Sequence, residues 1–288
     1  MVYNKAHFEE AGLDPDSPPT TYDELIEAAQ KLTQTDANGN ITRSGAILPV
    51  GQARFDQGWF NFLAGHGSSV MNEDYTEFTF TNDAGKQATQ FMFDLINEYK
   101  VCTPNVIDPS FDSNTEYQAE KASIVLGANA DFMTAVQANA PQLEEVTASA
   151  VMPNLTGEGV SSVAYTAPIC IMQNTQEREA AEEWVKYFCS TEGQVQFCSA
   201  VNLINARKEV MEDEFYQSDW MKTFGEQADR AIYGDPPIVT WSQIDAFPNG
   251  PLNTMLTNIA GGADMDTEME SCLEEVQAIY ETNEVVLE

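Results

Sequence analysis

The sequence predicts an α/β protein in which helices cover both faces of a sheet. Short apolar runs of strand length alternate along the chain with amphipathic helical patterns. The 288 residues are 43% apolar, which is enough to bury a substantial core. No apolar run approaches the ~20 residues that a membrane-spanning helix needs. These observations favour one large α/β domain or two compact lobes.

Capping and periodicity locate the individual elements. Thr21 and Glu24 form a capping-box pattern, so a helix is predicted from about residue 22. Other helices are predicted over 83–99, 177–188, from 191 through 197, 251–259 and 266–280. Strands are predicted over 45–50, 122–126 and 146–152, and a long extended segment over 163–172. In the helix over 177–188, the residues expected to face the core are Ala181, Trp184, Val185 and Phe188.

Charge and cysteine content exclude several classes of protein. The 13 Lys and Arg residues against 46 Asp and Glu residues give a net charge of −33, which repels nucleic-acid backbones. Five cysteines without a C-x-x-C spacing argue against a disulfide framework. Three of them, Cys170, Cys189 and Cys198, lie in apolar contexts and are expected in the core. With only two histidines, a His-rich metal site is not expected.

Catalytic motifs are absent from the sequence. There is no G-x-S-x-G, G-x-x-x-x-G-K-[ST], G-x-G-x-x-G or H-E-x-x-H pattern. Acidic residues are so numerous that a carboxylate pair for glycoside hydrolysis stands as an open alternative without a specific signal.

Three segments combine aromatic rings with hydrogen-bonding side chains, the composition that sugar sites need. They are Arg-Phe-Asp-Gln-Gly-Trp-Phe-Asn at 54–61, Asn-Ala-Asp-Phe at 129–132 and Thr-Trp-Ser-Gln-Ile-Asp at 240–245. The first two follow predicted strands, where an open α/β sheet binds its ligands. For each segment alone, aromatic residues in the core explain the pattern equally well.

Two motifs near the beginning of the chain resemble those of a known family. Residues 3–13 read Tyr-Asn-Lys-Ala-His-Phe-Glu-Glu-Ala-Gly-Leu, and residues 18–25 read Pro-Pro-Thr-Thr-Tyr-Asp-Glu-Leu. They resemble the extracellular solute-binding proteins of ABC sugar importers, the relatives of maltose-binding protein. The resemblance continues through Glu-Lys-Ala at 120–122, Ala-Ala-Glu-Glu-Trp at 180–184 and Gly-Gly at 261–262, so it covers essentially the whole chain.

The resemblance implies a type II periplasmic-binding-protein-like fold of two lobes, truncated at its N-terminus. In this expectation residues 1–166 form the main part of lobe two, 167–211 return to lobe one, and 212–288 complete lobe two. The hinge falls near 164–166 and 210–214. The family also implies an extracytoplasmic location, with membrane association only through a lipid anchor that this sequence lacks.

The resemblance further implies a carbohydrate as ligand, with an oligosaccharide as the expected form, captured by hinge closure and delivered to ABC permease subunits. It implies neither catalysis nor a cofactor nor a metal. The ligand-binding residues carried over are Phe55, Asp56, Trp59, Asn129, Asp131, Tyr165 and Trp241. At 127–129 the sequence has Gly-Ala-Asn where many relatives have Gly-Pro-Trp, so stacking is not expected there, and Tyr165 is the candidate to replace it. The alternatives are a glycoside-processing enzyme with a carboxylate pair, and the same fold binding a non-sugar solute.

Overall fold

A computed structural model describes residues 1–49 and 54–284, without the side chains of 283 and 284. Within these residues the strands are β1 (Val2–Asn4), β2 (Gln34–Thr35), β3 (Ile41–Ile47), β4 (Ala122–Val125), β5 (Thr147–Ser149), β6 (Ser162–Ala164) and β7 (Ala231–Tyr233). The helices before residue 140 are α1 (Lys5–Glu10), α2 (Tyr22–Leu32), α3 (Asp56–Gly65), α4 (Asp83–Asn97), α5 (Ser113–Gln118) and α6 (Phe132–Asn139). The later helices are α7 (Arg178–Phe188), α8 (Thr191–Val201), α9 (Asp219–Asp229), α10 (Trp241–Ile244), α11 (Pro251–Ala260) and α12 (Met265–Glu284).

The larger sheet contains five strands in the order β2-β3-β4-β1-β5. Strands β3 and β4 are parallel, with Ala46 opposite Ile124. Strand β1 runs antiparallel to both β4 and β5 and pairs Val2 with Val125. Every residue of β1 and β4 is buried. Both faces of the sheet are therefore covered at its centre. The predicted strands over 45–50, 122–126 and 146–152 are thus confirmed as elements with shifted ends, and residues 50–53 lie outside the described part.

The capping box predicted at α2 is confirmed. The hydroxyl of Thr21 accepts a hydrogen bond from the Glu24 N–H at 3.2 Å, and the Glu24 carboxylate accepts one from the Thr21 N–H at 3.2 Å. The helix packs closely on β3, since a β-carbon at Gly45 would lie 1.9 Å from the Ala29 carbonyl oxygen. Glycine at this position therefore permits the helix to touch the strand.

A small second sheet joins two distant parts of the chain. Strands β6 and β7 are parallel, with Val163 opposite Ile232. The N–H of Val163 also donates to Oδ1 of Asn61 at 3.0 Å. This hydrogen bond connects the small sheet to helix α3. This arrangement places the residues after β6, the residues after β7 and the start of α3 near one another.

Of the long extended segment predicted over 163–172, only the beginning is a strand. The strand ends at Ala164, and residues 165–172 have no regular structure. Among the described residues, no strand other than β7 pairs with β6. Without a ladder of backbone hydrogen bonds the remainder is not held as a strand, and Met172 is 70% exposed.

The predicted core face of α7 was also wrong. No residue of α7 is buried, and Trp184 is 56% exposed. The helix packs on its neighbour α8 rather than on a sheet: the rings of Phe188 and Phe197 lie 5.0 Å apart. Cys170, in the irregular segment after β6, and Cys189, directly after α7, are exposed, contrary to expectation, whereas Cys198 is buried as predicted.

The longest helix, α12, carries acidic residues along most of its length. Within residues 1–49 and 54–284, no helix combines the length and the apolar character required to cross a membrane.

Candidate functional site

A cavity of about 160 Å³ lies where three separate parts of the chain meet. One side is formed by the start of α3, a second by the residue after β6, and a third by loops that follow β7 and α10. Its lining residues are Arg54, Asp56, Gln57, Tyr165, Asp235 and Asp245. The cavity therefore collects one guanidinium, three carboxylates, an amide and a phenol from segments far apart in sequence.

The Arg54 guanidinium is held by two carboxylates. Its Nη2 and Nε donate to the two oxygens of Asp56 at 2.6 Å and 3.3 Å, and Nη2 also lies 3.8 Å from Oδ2 of Asp245. Its carbon Cζ lies 5.3 Å from the centre of the Phe247 ring, a cation–π contact. The side chain of Asp56 is completely buried, so this bidentate pair fixes the cation at the base of the cavity.

The carboxyl of Asp245 is strongly perturbed. Its pKa is raised to about 7, chiefly by burial and then by the neighbouring Asp56 carboxylate, while Arg54 opposes the rise. Its side chain is only 14% exposed. Its Oδ1 atom is buried and has no hydrogen-bond partner among the described residues. An acceptor of this kind is costly to leave without a donor.

Tyr165 borders the same cavity. Its ring packs on Gly234, and the residue keeps 47% of its surface exposed. Burial of the phenol, followed by the charges of Asp235 and Asp245, raises the pKa of Tyr165. The hydroxyl therefore stays protonated and able to donate a hydrogen bond.

Trp241 lies beside the cavity rather than in its lining. The indole N–H donates to Oδ1 of Asp235 at 3.0 Å, and the ring centre lies 6.0 Å from that of Phe60. The residue is half-buried. It positions a lining carboxylate and leaves part of its ring accessible.

The expectation of exposed ring faces does not hold for Phe55 and Trp59, which are both buried. The Trp59 indole donates to Oγ1 of Thr89 in α4 at 2.8 Å, and the rings of Phe55 and Phe93 lie 6.1 Å apart. Both aromatic residues face α4 because α3 packs along that helix. They belong to the core, and in this arrangement a ligand has no access to their faces.

Asn129 and Asp131 are exposed and do not line the cavity. Their loop begins beside α3, since a β-carbon at Gly127 would lie 3.2 Å from Nδ2 of Asn61 in that helix. Of the seven predicted residues, the structure thus brings Asp56 and Tyr165 to one cavity with Trp241 beside it. It leaves Asn129 and Asp131 exposed, outside the lining of this cavity.

Four lining residues were not predicted. Arg54, Gln57 and Asp245 lie inside the aromatic-rich segments, where their polar side chains were visible but not singled out. Asp235 precedes the Pro-Pro pair at 236–237 and shows no local signal. Its place depends on the pairing of β6 with β7. In the part of the chain that the structure describes, no three His, Cys, Asp or Glu side chains are placed so that they could hold a metal ion.

Two curated relatives match parts of the sequence. A probable amino-acid ABC transporter periplasmic-binding protein of Sinorhizobium fredii is 30% identical over 97 residues, and the sn-glycerol-3-phosphate-binding periplasmic protein of Yersinia enterocolitica is 35% identical over 77 residues. The matches cover 33% and 26% of this chain, but they span only 21% and 15% of those relatives.

A solved structure is similar over almost the whole chain. It is an ABC transporter solute-binding protein of Thermotoga lettingae bound to α-D-tagatose, with a TM-score of 0.76 and 22% identity. The superposition covers 97% of this chain and 69% of that one, and it confirms the fold. The family model described as bacterial extracellular solute-binding protein matches residues 1–195. The chain therefore belongs to the bacterial extracellular solute-binding proteins.

Proposed function

We propose that this chain binds a carbohydrate as the substrate-binding component of an ABC importer and delivers it to the membrane permease. The observation that carries the proposal is the cavity between α3, Tyr165 and the loops after β7 and α10. Residues from three segments converge there, as a site that closes around its ligand requires.

The chemistry of the cavity suits a polyhydroxylated ligand. The Gln57 amide, the Tyr165 hydroxyl and the Asp245 carboxylate offer both donors and acceptors to sugar hydroxyls. The accessible rings of Tyr165 and Trp241 add apolar surface for the face of a sugar ring. Asn129 and Asp131, which are exposed, are retained in the proposal as contacts for further sugar units.

The proposed mechanism is hinge closure. The cavity is smaller than the ~300–1,000 Å³ of typical small-molecule sites, which fits one subsite of an open cleft. Residues 1–166 and 212–288 would form one lobe, and 167–211 would belong to the other, with hinges near 164–166 and 210–214. The exposed, separately packed pair α7 and α8 supports this division. Docking of the closed form on the permease and a lipid-anchored, extracytoplasmic location complete the proposal.

One observation favours a second candidate, a glycoside-processing enzyme. The pKa of Asp245 lies at about 7, as expected of a general acid. Its nearest carboxylate, Asp56, is completely buried and bound bidentately by Arg54, so it is not placed to attack a sugar or activate water. We therefore prefer binding without turnover.

Isothermal titration calorimetry with D-glucose, maltose, D-tagatose, glutamate and sn-glycerol 3-phosphate tests the proposal. We expect saturable binding of at least one sugar, and chromatography of the incubated mixture should return that sugar unchanged. Release of shorter saccharides would favour the enzyme. Binding confined to glutamate or glycerol phosphate would favour the same fold with a non-sugar solute.

A further inference from the structure

Among the described residues, Asp245 carries a buried acceptor that no protein group satisfies. Its Oδ2 faces the Arg54 guanidinium, whereas the buried Oδ1 has no partner among the described residues. The same carboxyl lines the cavity. A ligand with a hydrogen-bond donor at this point satisfies the buried Oδ1, whereas a ligand without one leaves it unpaired. The affinities of two otherwise similar ligands should therefore differ strongly.

Among the described lining residues Arg54 is the single cation, and it is already engaged. Asp56 takes two of its N–H groups, Asp245 lies 3.8 Å away, and Phe247 covers its face. Three carboxylates against one guanidinium leave the cavity with an excess of negative charge when all are ionised. An anionic group entering here would meet like charge without a free cation to receive it.

We propose that Asp245 determines ligand specificity: its Oδ1 accepts a hydrogen bond from a ligand hydroxyl or ammonium group, and the cavity rejects phosphorylated ligands. This inference rests on the proposed binding function of the cavity. It names the ligand class as neutral or cationic polyhydroxylated molecules.

The proposal links binding to pH. Asp56 and Arg54 face Asp245 from the start of α3, Asp235 faces it from the loop after β7, and the Tyr165 phenol lies near it after β6. Helix α12 also approaches α10, and its buried titratable group is Cys272, where burial raises the pKa to about 12 and keeps the thiol neutral.

Because an ionised carboxylate accepts more strongly, ligand binding favours the deprotonated form of Asp245. With a pKa of about 7 before binding, the ionised fraction rises between pH 6 and pH 8. Affinity for a neutral sugar should therefore be about tenfold higher at pH 8 than at pH 6.

Calorimetry with D-glucose, maltose and D-tagatose at pH 6 and pH 8 measures this dependence. D-glucosamine and D-glucose 6-phosphate, compared with D-glucose at pH 7, measure the preference for charge. In the D245N variant we expect a loss of affinity of roughly 10- to 100-fold and no remaining pH dependence. The matched control is D229N, which removes an exposed carboxylate outside the cavity and should bind as the wild type does.

Equal binding of a neutral sugar by the wild type and D245N would overturn the inference while leaving the proposed function intact. Tighter binding of glucose 6-phosphate than of glucose would also overturn it. If none of the sugars binds the wild type, the proposed function fails and the inference fails with it. Should D245N not fold, the pH dependence of the wild type decides alone, and a flat profile counts against the proposal.

Discussion

The ring of Tyr165 lies against the backbone of Gly234. A β-carbon at Gly234 would come within 2.7 Å of Cε1 and 3.0 Å of Cζ of this ring. The two residues directly follow β6 and β7, and the N–H of Gly234 donates to the Ala164 carbonyl at 3.0 Å. The parallel pairing of two short strands thus sets the position of an aromatic residue that borders the candidate site.

Replacing Gly234 with alanine should displace Tyr165 from the cavity. Because the half-exposed ring can move outward, we expect a cost below about 1 kcal/mol in the free energy of unfolding. Sugar affinity should fall about fivefold, as expected for losing one aromatic contact of about 1 kcal/mol. Calorimetry and urea denaturation measure both quantities.

The control for this variant is G225A in α9, where the nearest atom to the new β-carbon is the flexible end of Met211 at 3.0 Å. It should retain sugar affinity. Unchanged binding by G234A would show that the position of Tyr165 does not matter to the ligand.

Replacing Trp59 with phenylalanine should lower the stability of the protein without changing its affinity for sugar. The change removes the hydrogen bond to Thr89 and leaves a space in a fully buried position. We expect the free energy of unfolding to drop by about 2 kcal/mol, with sugar affinity unchanged.

The comparison for W59F is W241F, which removes the hydrogen bond to Asp235 beside the cavity. That variant should lose affinity with a smaller effect on stability. A large loss of affinity in W59F with little loss of stability would restore Trp59 as a direct ligand contact.

His7 should make the protein sensitive to mild acid. Its pKa is lowered to about 4, chiefly by burial and then by the charge of Arg43, while Glu10 opposes the shift. The unfolded chain takes up this proton near pH 6.5, so the free energy of unfolding falls as the pH decreases from 6.5 to 4. The loss attributable to His7 is up to about 3 kcal/mol and is complete below pH 4.

Urea denaturation of the wild type and H7N between pH 4 and pH 8 isolates this contribution. The difference in unfolding free energy between the two proteins should change only below pH 6.5. The H66N variant keeps His7, so its free energy of unfolding should still show the decrease below pH 6.5 that His7 causes. Parallel profiles for wild type and H7N would exclude His7 as its source.

Residues 178–188 should exchange their amide hydrogens faster than those of α4. Helix α7 has no buried residue, whereas α4 buries six of its side chains, including Ala88, Met92 and Leu95. Local opening is therefore easier in α7, and we expect exchange at least about tenfold faster. Mass spectrometry of peptides from one labelled sample provides α4 as the internal reference. Equal protection would argue against the proposed division of the chain at 167–211.

Local signals determined a large part of this protein. The capping box at Thr21, the periodicity of α4 and the apolar strand β4 all depend on neighbours within a few residues, and each is present in the structure. The motifs near the beginning of the chain likewise predicted the family, because they can be read from the sequence without a fold.

Tertiary structure alone decided which side chains meet a ligand. Trp59 and Trp241 occur in equally polar surroundings in the sequence, yet one packs against α4 and the other stands beside the cavity. Asp235 and Asp245 reach Arg54 and Tyr165 only because β7 pairs with β6, some seventy residues away. The burial and the electrostatic environment of a site depend on segments that are distant along the chain. They therefore cannot be predicted from a local sequence pattern.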